Sequence, residues 1–214
     1  MPDAESTYFL PIRGPERIAN LAFGLSFFSW AVLGLTQPED AGSVVRWCIA
    51  ALHVTAGVLI INRRAGRLFV SNLDLLFCVP AVISAGLAFH LAGPTDQWPG
   101  LLVWLFLGCT VWTIVSLSSL GRSFAVFPSL RSIVNRGPFR WIRHPAYLGE
   151  LGLVVVCAMA SDWAIDHWKI VLSLVFAVVA IAIRIWIEES LLSTQAAYQQ
   201  YRSAVRWRLL PGIW

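Results

Sequence analysis

Leu101 to Leu120 reads LLVWLFLGCTVWTIVSLSSL, an apolar run without one Asp, Glu, Lys or Arg. A helix of about 20 such residues, rising 1.5 Å each, matches the roughly 30 Å hydrocarbon core of a bilayer. The stretch is therefore a membrane span. Five more apolar stretches surround it: Ile18 to Thr36, Val44 to Ile61, Leu68 to Ala92, Leu148 to Ala160 and Ile165 to Ile187. All but Leu148 to Ala160 are long enough to cross. That one is short and contains Glu150, so a tilted or partly interfacial helix is expected there. The first stretch is too long and too far into the chain for a cleavable signal, and no small-residue cleavage pattern follows it.

Composition agrees. Of the 214 residues, 57% are apolar and 13% charged, against about 45 to 50% and 25% in a soluble domain. A soluble enzyme, a disordered tail and a disulfide scaffold are all disfavoured. Cys48, Cys78, Cys109 and Cys157 lie singly in apolar runs without metal-ligand or paired spacing, so no metal is expected. Without repeats or low-complexity linkers, residues 1–214 read as a single membrane domain, with four spans in 18–120 and a motif-bearing half in 121–214.

Charge sets the orientation. Thirteen of the 16 basic residues precede the first span, lie in the loops after the second and fourth, or follow the sixth. The opposite loops contain Glu39, Asp40, Asp96, Asp162 and Asp166 but no Lys or Arg. Short basic loops stay in the cytoplasm. The fold expected is an all-α integral membrane protein with about six transmembrane helices, the fifth short, both termini cytoplasmic, and an interfacial helix near the C-terminus. The basic side also attracts anionic membrane lipids. No nucleic-acid-binding motif surrounds these arginines, and nucleic acid is not expected as a partner.

Polar residues concentrate in two places that this topology brings to one face: Gly121 to Tyr147 and Arg184 to the C-terminus. Arg184 and Glu188 stand four apart on one helix and can pair. Ionisable groups this near the bilayer suggest a site, although Arg184 can instead snorkel and Glu188 and Glu189 begin a solvated helix. His144 precedes Pro145 at a helix start, where free N–H groups can hold an anion. Glu150 either lines a cavity or pairs with a loop arginine. Asn72 and Asp74 read as interhelical hydrogen-bonding residues. His53 and His90 receive no role.

RHPAY at Arg143 to Tyr147, preceded by IVNRGPF and followed by Arg184, Glu188, Glu189, YQQY and RWRLLP, resembles the isoprenylcysteine carboxyl methyltransferase family. That family is related to the integral-membrane phospholipid methyltransferases. The resemblance covers about Gly121 to Pro211. It implies transfer of a methyl group from S-adenosylmethionine (S-adenosyl-L-methionine) to a lipophilic acceptor entering from the bilayer, at the cytoplasmic face. It further implies that Arg131, Ser132, Ile133, Val134, Phe139, Arg143, His144, Pro145, Tyr147, Glu188 and Tyr198 bind the cofactor. Arg184 holds an acceptor carboxylate on the same grounds, and Glu150 is a second candidate beside the reacting groups. An ionised carboxylate acceptor needs no base, whereas an amine must shed a proton, to His144 or Glu150. Phe139, Arg131 and Ala196-Ala197 stand where tyrosine, histidine and Phe-Gly are common, departures that bear on the acceptor more than on the cofactor. Two alternatives remain: a phospholipid amine N-methyltransferase, and a non-catalytic membrane binding protein of the same fold. Arginine-rich composition with a single lysine, Lys169, suggests a bacterial cytoplasmic membrane.

Overall fold

The computed structural model describes residues 14–36, 43–63, 72–126 and 130–214. Arg13, Arg64, Arg67, the expected loop at 37–42, and the side chains of Asn72 and Asp74 lie outside the described residues. Seven α-helices follow one another: α1 (Gly14–Leu35), α2 (Val44–Asn62), α3 (Asn72–Leu91), α4 (Gly100–Leu120), α5 (Pro145–Met159), α6 (Trp163–Leu192) and α7 (Ala196–Ala204). No strand joins them among the described residues. The protein is an all-α membrane protein.

Helix ends fall where the local chemistry puts them. Ser43 caps α2 by accepting from Arg46 N (3.2 Å), and Asp162 caps α6 by accepting from Ala164 N (2.9 Å); each satisfies a backbone donor that has no partner within the helix. Pro145 opens α5, where its missing N–H costs nothing.

Helices α1, α2, α4 and α6 are long and apolar enough to cross a membrane. The third expected span is the 20-residue α3. Their outward faces bear Trp30, Val32, Trp104, Leu172, Val175 and Trp186, all more than half exposed. That much apolar surface is untenable in water and ordinary against lipid tails. Inside, Val45, Cys48, Leu102, Phe106, Leu153, Val154, Cys157 and Ala177 form the core. Cys48, Cys109 and Cys157 are free thiols.

The basic ends gather on one side. Arg63 Nε, after α2, donates to Asn20 Oδ1 near the start of α1 (2.8 Å). At the other side Ser43 and Thr95 pair their hydroxyls (2.7 Å), and Ala92 bridges to Ser161.

The 15-residue α5 is short for a physical reason. Its far end is level with that of α3, through the Ala92–Ser161 bridge. Its first residue, Pro145, accepts a hydrogen bond from Trp112 Nε1 (2.8 Å). Gly149, four residues further along, is level with Thr113, seven residues before the end of the antiparallel α4, so α5 starts about three residues, or roughly 5 Å at 1.5 Å per residue, short of that end. The near end of α5 therefore starts below the rim of the bundle, and the space above it is the site. Close packing on α4 holds it there: a Cβ on Gly149 would lie 2.1 Å from Thr113 Oγ1.

Candidate active site

The recess above α5 is filled by three segments. The first follows α4. Ser123 and Ser132 pair their hydroxyls (2.7 Å), and Arg136 Nε donates to Ser119 O (2.8 Å), which folds residues 130–136 back on the end of α4. Gly137 turns the chain at φ 56° with its α-carbon against Ser119, a conformation that L side chains avoid. A short 3₁₀ turn, Gly137–Arg140, then buries Pro138 and Phe139. The second segment is the C-terminus. Arg143 N donates to Trp207 O and His144 N to Arg208 O (both 2.9 Å), so residues 205–209 lie beside the RHP motif. The third is α7, whose Tyr198 and Tyr201 pack with Leu192, Val205 and Ile133. Tyr201 Oη donates to Phe139 O (2.7 Å).

Successive helical residues point about 100° apart, so the two glutamates at the end of α6 serve different clusters. Glu189 forms an ion pair with Arg143 (2.8 Å) and accepts from His144 (3.2 Å) and Arg208 (2.9 Å). It ties the C-terminus to the RHP motif. Glu188 is paired with Arg131 and accepts from Tyr147 Oη (2.8 Å). The same Tyr147 oxygen accepts from Arg184 Nε (2.6 Å), and Arg184 also donates to Val126 O. Arg184, Glu188 and Glu189 are 5 to 7% exposed. Charges so deeply buried persist only when paired.

These contacts correct two expectations. Arg184 and Glu188 meet through the Tyr147 hydroxyl, because that group fits between the two side chains. The glutamates do not begin a solvated helix; α6 keeps both in the recess until Leu192. The N–H groups of Arg143 and His144, which precede α5, are taken by the C-terminal carbonyls.

Three adjoining cavities run through the site. One, about 270 Å³, extends from Arg131, Phe139, Arg143, His144 and Glu188, past Tyr147, Arg184 and Glu150, to Phe27 of α1, His53 of α2 and Ala85 of α3. A narrow one of about 30 Å³ shares its first five residues and adds Ser132, Ile133, Val134, Tyr198 and Tyr201. An open one of about 390 Å³ lies between Ser132–Arg136 and Arg122–Ser123. The cavities thus gather the expected site residues except Pro145, which is fully buried and acts by starting α5. Tyr201, Val126 and Thr113 also line the site without having been expected there. So does His53, to which the sequence assigned no role.

Tyr198 Oη lies buried beside Arg143 without a hydrogen bond of normal geometry. Burial, then the Glu189 charge, holds its phenol above the usual tyrosine range. Burial does the same for Tyr201, there opposed by Arg143. Both stay protonated hydrogen-bond donors at neutral pH.

A buried ion-pair network at one end of the bundle thus stands between a narrow polar cleft and a cavity with apolar walls. Residues 97–200 match the family model described as phospholipid methyltransferase. The matched stretch, from just ahead of α4 into α7, is similar to that family of integral-membrane methyltransferases, which includes the isoprenylcysteine carboxyl methyltransferases. No curated protein matches the chain. The matched stretch begins at Gln97, ahead of α4 and well before Gly121, where the resemblance had been taken to start. Within that stretch α4 supplies Thr113, Leu117 and Leu120 to the cavity wall.

Proposed function

We propose that this protein transfers the methyl group of S-adenosylmethionine to a lipophilic small molecule entering from the bilayer. The reaction takes place at the cytoplasmic face of a bacterial inner membrane, within a single domain. The observation that carries this reading is the junction at Arg131, Phe139, Arg143, His144 and Glu188, which wall both the narrow cleft and the apolar cavity. When bound, the cofactor supplies a methyl group activated on a sulfonium.

The residues present fit that group. Glu188, a buried carboxylate, binds its ammonium in place of Arg131, and Arg131 turns to its carboxylate. The Tyr198 hydroxyl, buried without a well-formed bond, finds a partner in the same ligand. Phe139 and Tyr198 pack against the adenosine. Tyr147 holds Arg184 and Glu188 in register, so that the acceptor's reacting group lines up with the methyl. Residues 205–209 and α7 cover the recess and keep water out. Alignment and a dry, charge-ordered site supply most of the rate in such a transfer.

Titration calorimetry in nanodiscs tests this. S-adenosylmethionine and its demethylated product bind the wild-type chain, and Glu188→Ala weakens both at least several-fold. No binding to wild type would end the methyltransferase reading; unchanged affinity in Glu188→Ala would show that this carboxylate does not hold the ammonium.

A further inference from the structure

We infer that the open cavity between Arg122 and Arg136 holds the phosphate headgroup of an anionic phospholipid, drawn from the leaflet at the basic end of the bundle. This site is separate from the methyl transfer proposed above and does not depend on it.

Two stretches of chain build the cavity at the end of α4. Gly121, at φ 52°, turns the chain out of the helix and leads into Arg122. Arg136 returns to the same corner. Its Nε donates to Ser119 O (2.8 Å), and one of its terminal nitrogens would stand 3.3 Å from a Cβ on Gly121. Engagement of Nε fixes the guanidinium and leaves its outer N–H groups for a ligand. Arg122 makes no hydrogen bond or ion pair among the described residues. Ser123, Ser132 and Asn135 add to the polar wall.

Charge selects an anion. Nearby, Glu188 and Glu189 are already held by Arg131, Arg143 and Arg208, and no Asp or Glu lines this cavity. Two arginines therefore line it without a carboxylate between them. The planar fork of a guanidinium matches two phosphate oxygens. A choline or ethanolamine group would add a cation with no carboxylate to receive it, so a headgroup of net negative charge fits best. The cofactor's position is different: the open cavity adjoins the narrow cleft through Ser132, Ile133 and Val134 but contains none of Glu188, Phe139 and Tyr198.

Position selects a lipid over a soluble phosphate. Trp112 and Ser119 stand seven residues apart on α4, close to two turns, and so share one face of the helix. Arg136 docks on Ser119 and Trp141 stacks on Trp112 (6.4 Å), which runs residues 136–141 down that face. Trp141 is 65% exposed although it stacks on a residue about two turns inside a membrane span. Lipid surrounds it there, as is usual for tryptophan at the membrane boundary. Val111 and Val115 of α4 are exposed as well. A phosphate at Arg122 and Arg136 thus has an apolar path for its acyl chains along α4, the arrangement by which basic pockets at the ends of membrane helices hold anionic headgroups.

Native mass spectrometry of the full chain in detergent, titrated with dioleoyl phosphatidylglycerol or dioleoyl phosphatidylcholine, tests this. Phosphatidylglycerol occupies a site at least ten-fold more tightly than phosphatidylcholine. Arg122→Gln and Arg136→Gln each lower that affinity about ten-fold, a typical loss for a bond to a charged group. Arg202→Gln, which alters an exposed arginine of α7, leaves it within two-fold. Arg122→Gln removes no contact within the described chain, so it decides the matter even if Arg136→Gln fails to fold: wild-type affinity in Arg122→Gln overturns the inference. Equal affinity for the two lipids, or an equal loss in Arg202→Gln, shows diffuse attraction to the basic end and overturns it too. Displacement of the lipid by glycerol 3-phosphate at matched concentration would make this a site for soluble phosphate, and displacement by S-adenosylhomocysteine would give it to the cofactor; either result overturns the lipid site.

Discussion

Tyr147 joins the two halves of the site with one oxygen, donating to Glu188 and accepting from Arg184. Its ring stacks on His144 at 5.6 Å and lies under the Arg184 guanidinium at 5.5 Å. Tyr147→Phe keeps the ring contacts and removes both hydrogen bonds to charged groups. A net contribution of about 1.5 to 3 kcal/mol is typical for each such bond, so the variant melts several degrees lower and turns over more slowly. A scanning melt and a labelled-methyl assay check this; a wild-type melt would show that the hydroxyl bridge bears no load. Tyr198 and Tyr201 predict the alkaline limit. Their phenols ionise at higher pH in the folded chain than the ordinary value of 10.0. Above that value the unfolded chain loses protons that the folded chain keeps, so stability is full below pH 10 and falls as pH rises beyond it. Melting points from pH 8 to 11.5 fall less steeply in Tyr198→Phe than in wild type, and equal slopes would count against the buried phenol.

The element that decides the site is α5. Its start is sunk roughly 5 Å below the end of α4, and Gly149 against Thr113 keeps it there. Gly149→Val crowds Thr113 Oγ1, Thr113 Cβ and Trp112 at once, so turning the Thr113 hydroxyl away does not clear the contact. The helices must separate, which shifts Tyr147 and Glu150 together. Such overpacking costs about 1 to 3 kcal/mol. Cofactor affinity, read by calorimetry, therefore falls about ten-fold or more in this variant although it changes no lining residue, and unaltered affinity would show that α4 and α5 are free to slide. The sequence placed this helix and its Pro145 start but described it only as short. Its depth follows from the Gly149–Thr113 and Ala92–Ser161 contacts, which join residues far apart in the chain.

For the whole molecule, one end of the bundle bears Arg63, Arg131, Arg143 and Arg208, and the other Asp96, Asp162 and Asp166. Reporter fusions at the C-terminus and in the loop at 93–99 locate these ends. Phosphatase is inactive and fluorescent protein bright at the C-terminus, with the opposite pattern at 93–99; the reverse would put the site on the far face of the membrane.

What the sequence determined by itself was the solvent, the helices and the identity of the polar residues. Apolar length and the distribution of arginine are one-dimensional quantities, and the RHPAY and glutamate pattern lies within a matched stretch. Which charge meets which was decided only in three dimensions. Arg131 and Glu188 stand 57 residues apart, and Arg208 reaches Glu189 only because the C-terminus folds back along His144. The apolar walls at Phe27, His53 and Ala85 lie on helices without a motif, since an apolar residue facing a cavity reads the same in sequence as one facing lipid. Burial makes the difference: a charge inside the bundle must find a partner, and the fold supplies it from wherever in the chain it comes.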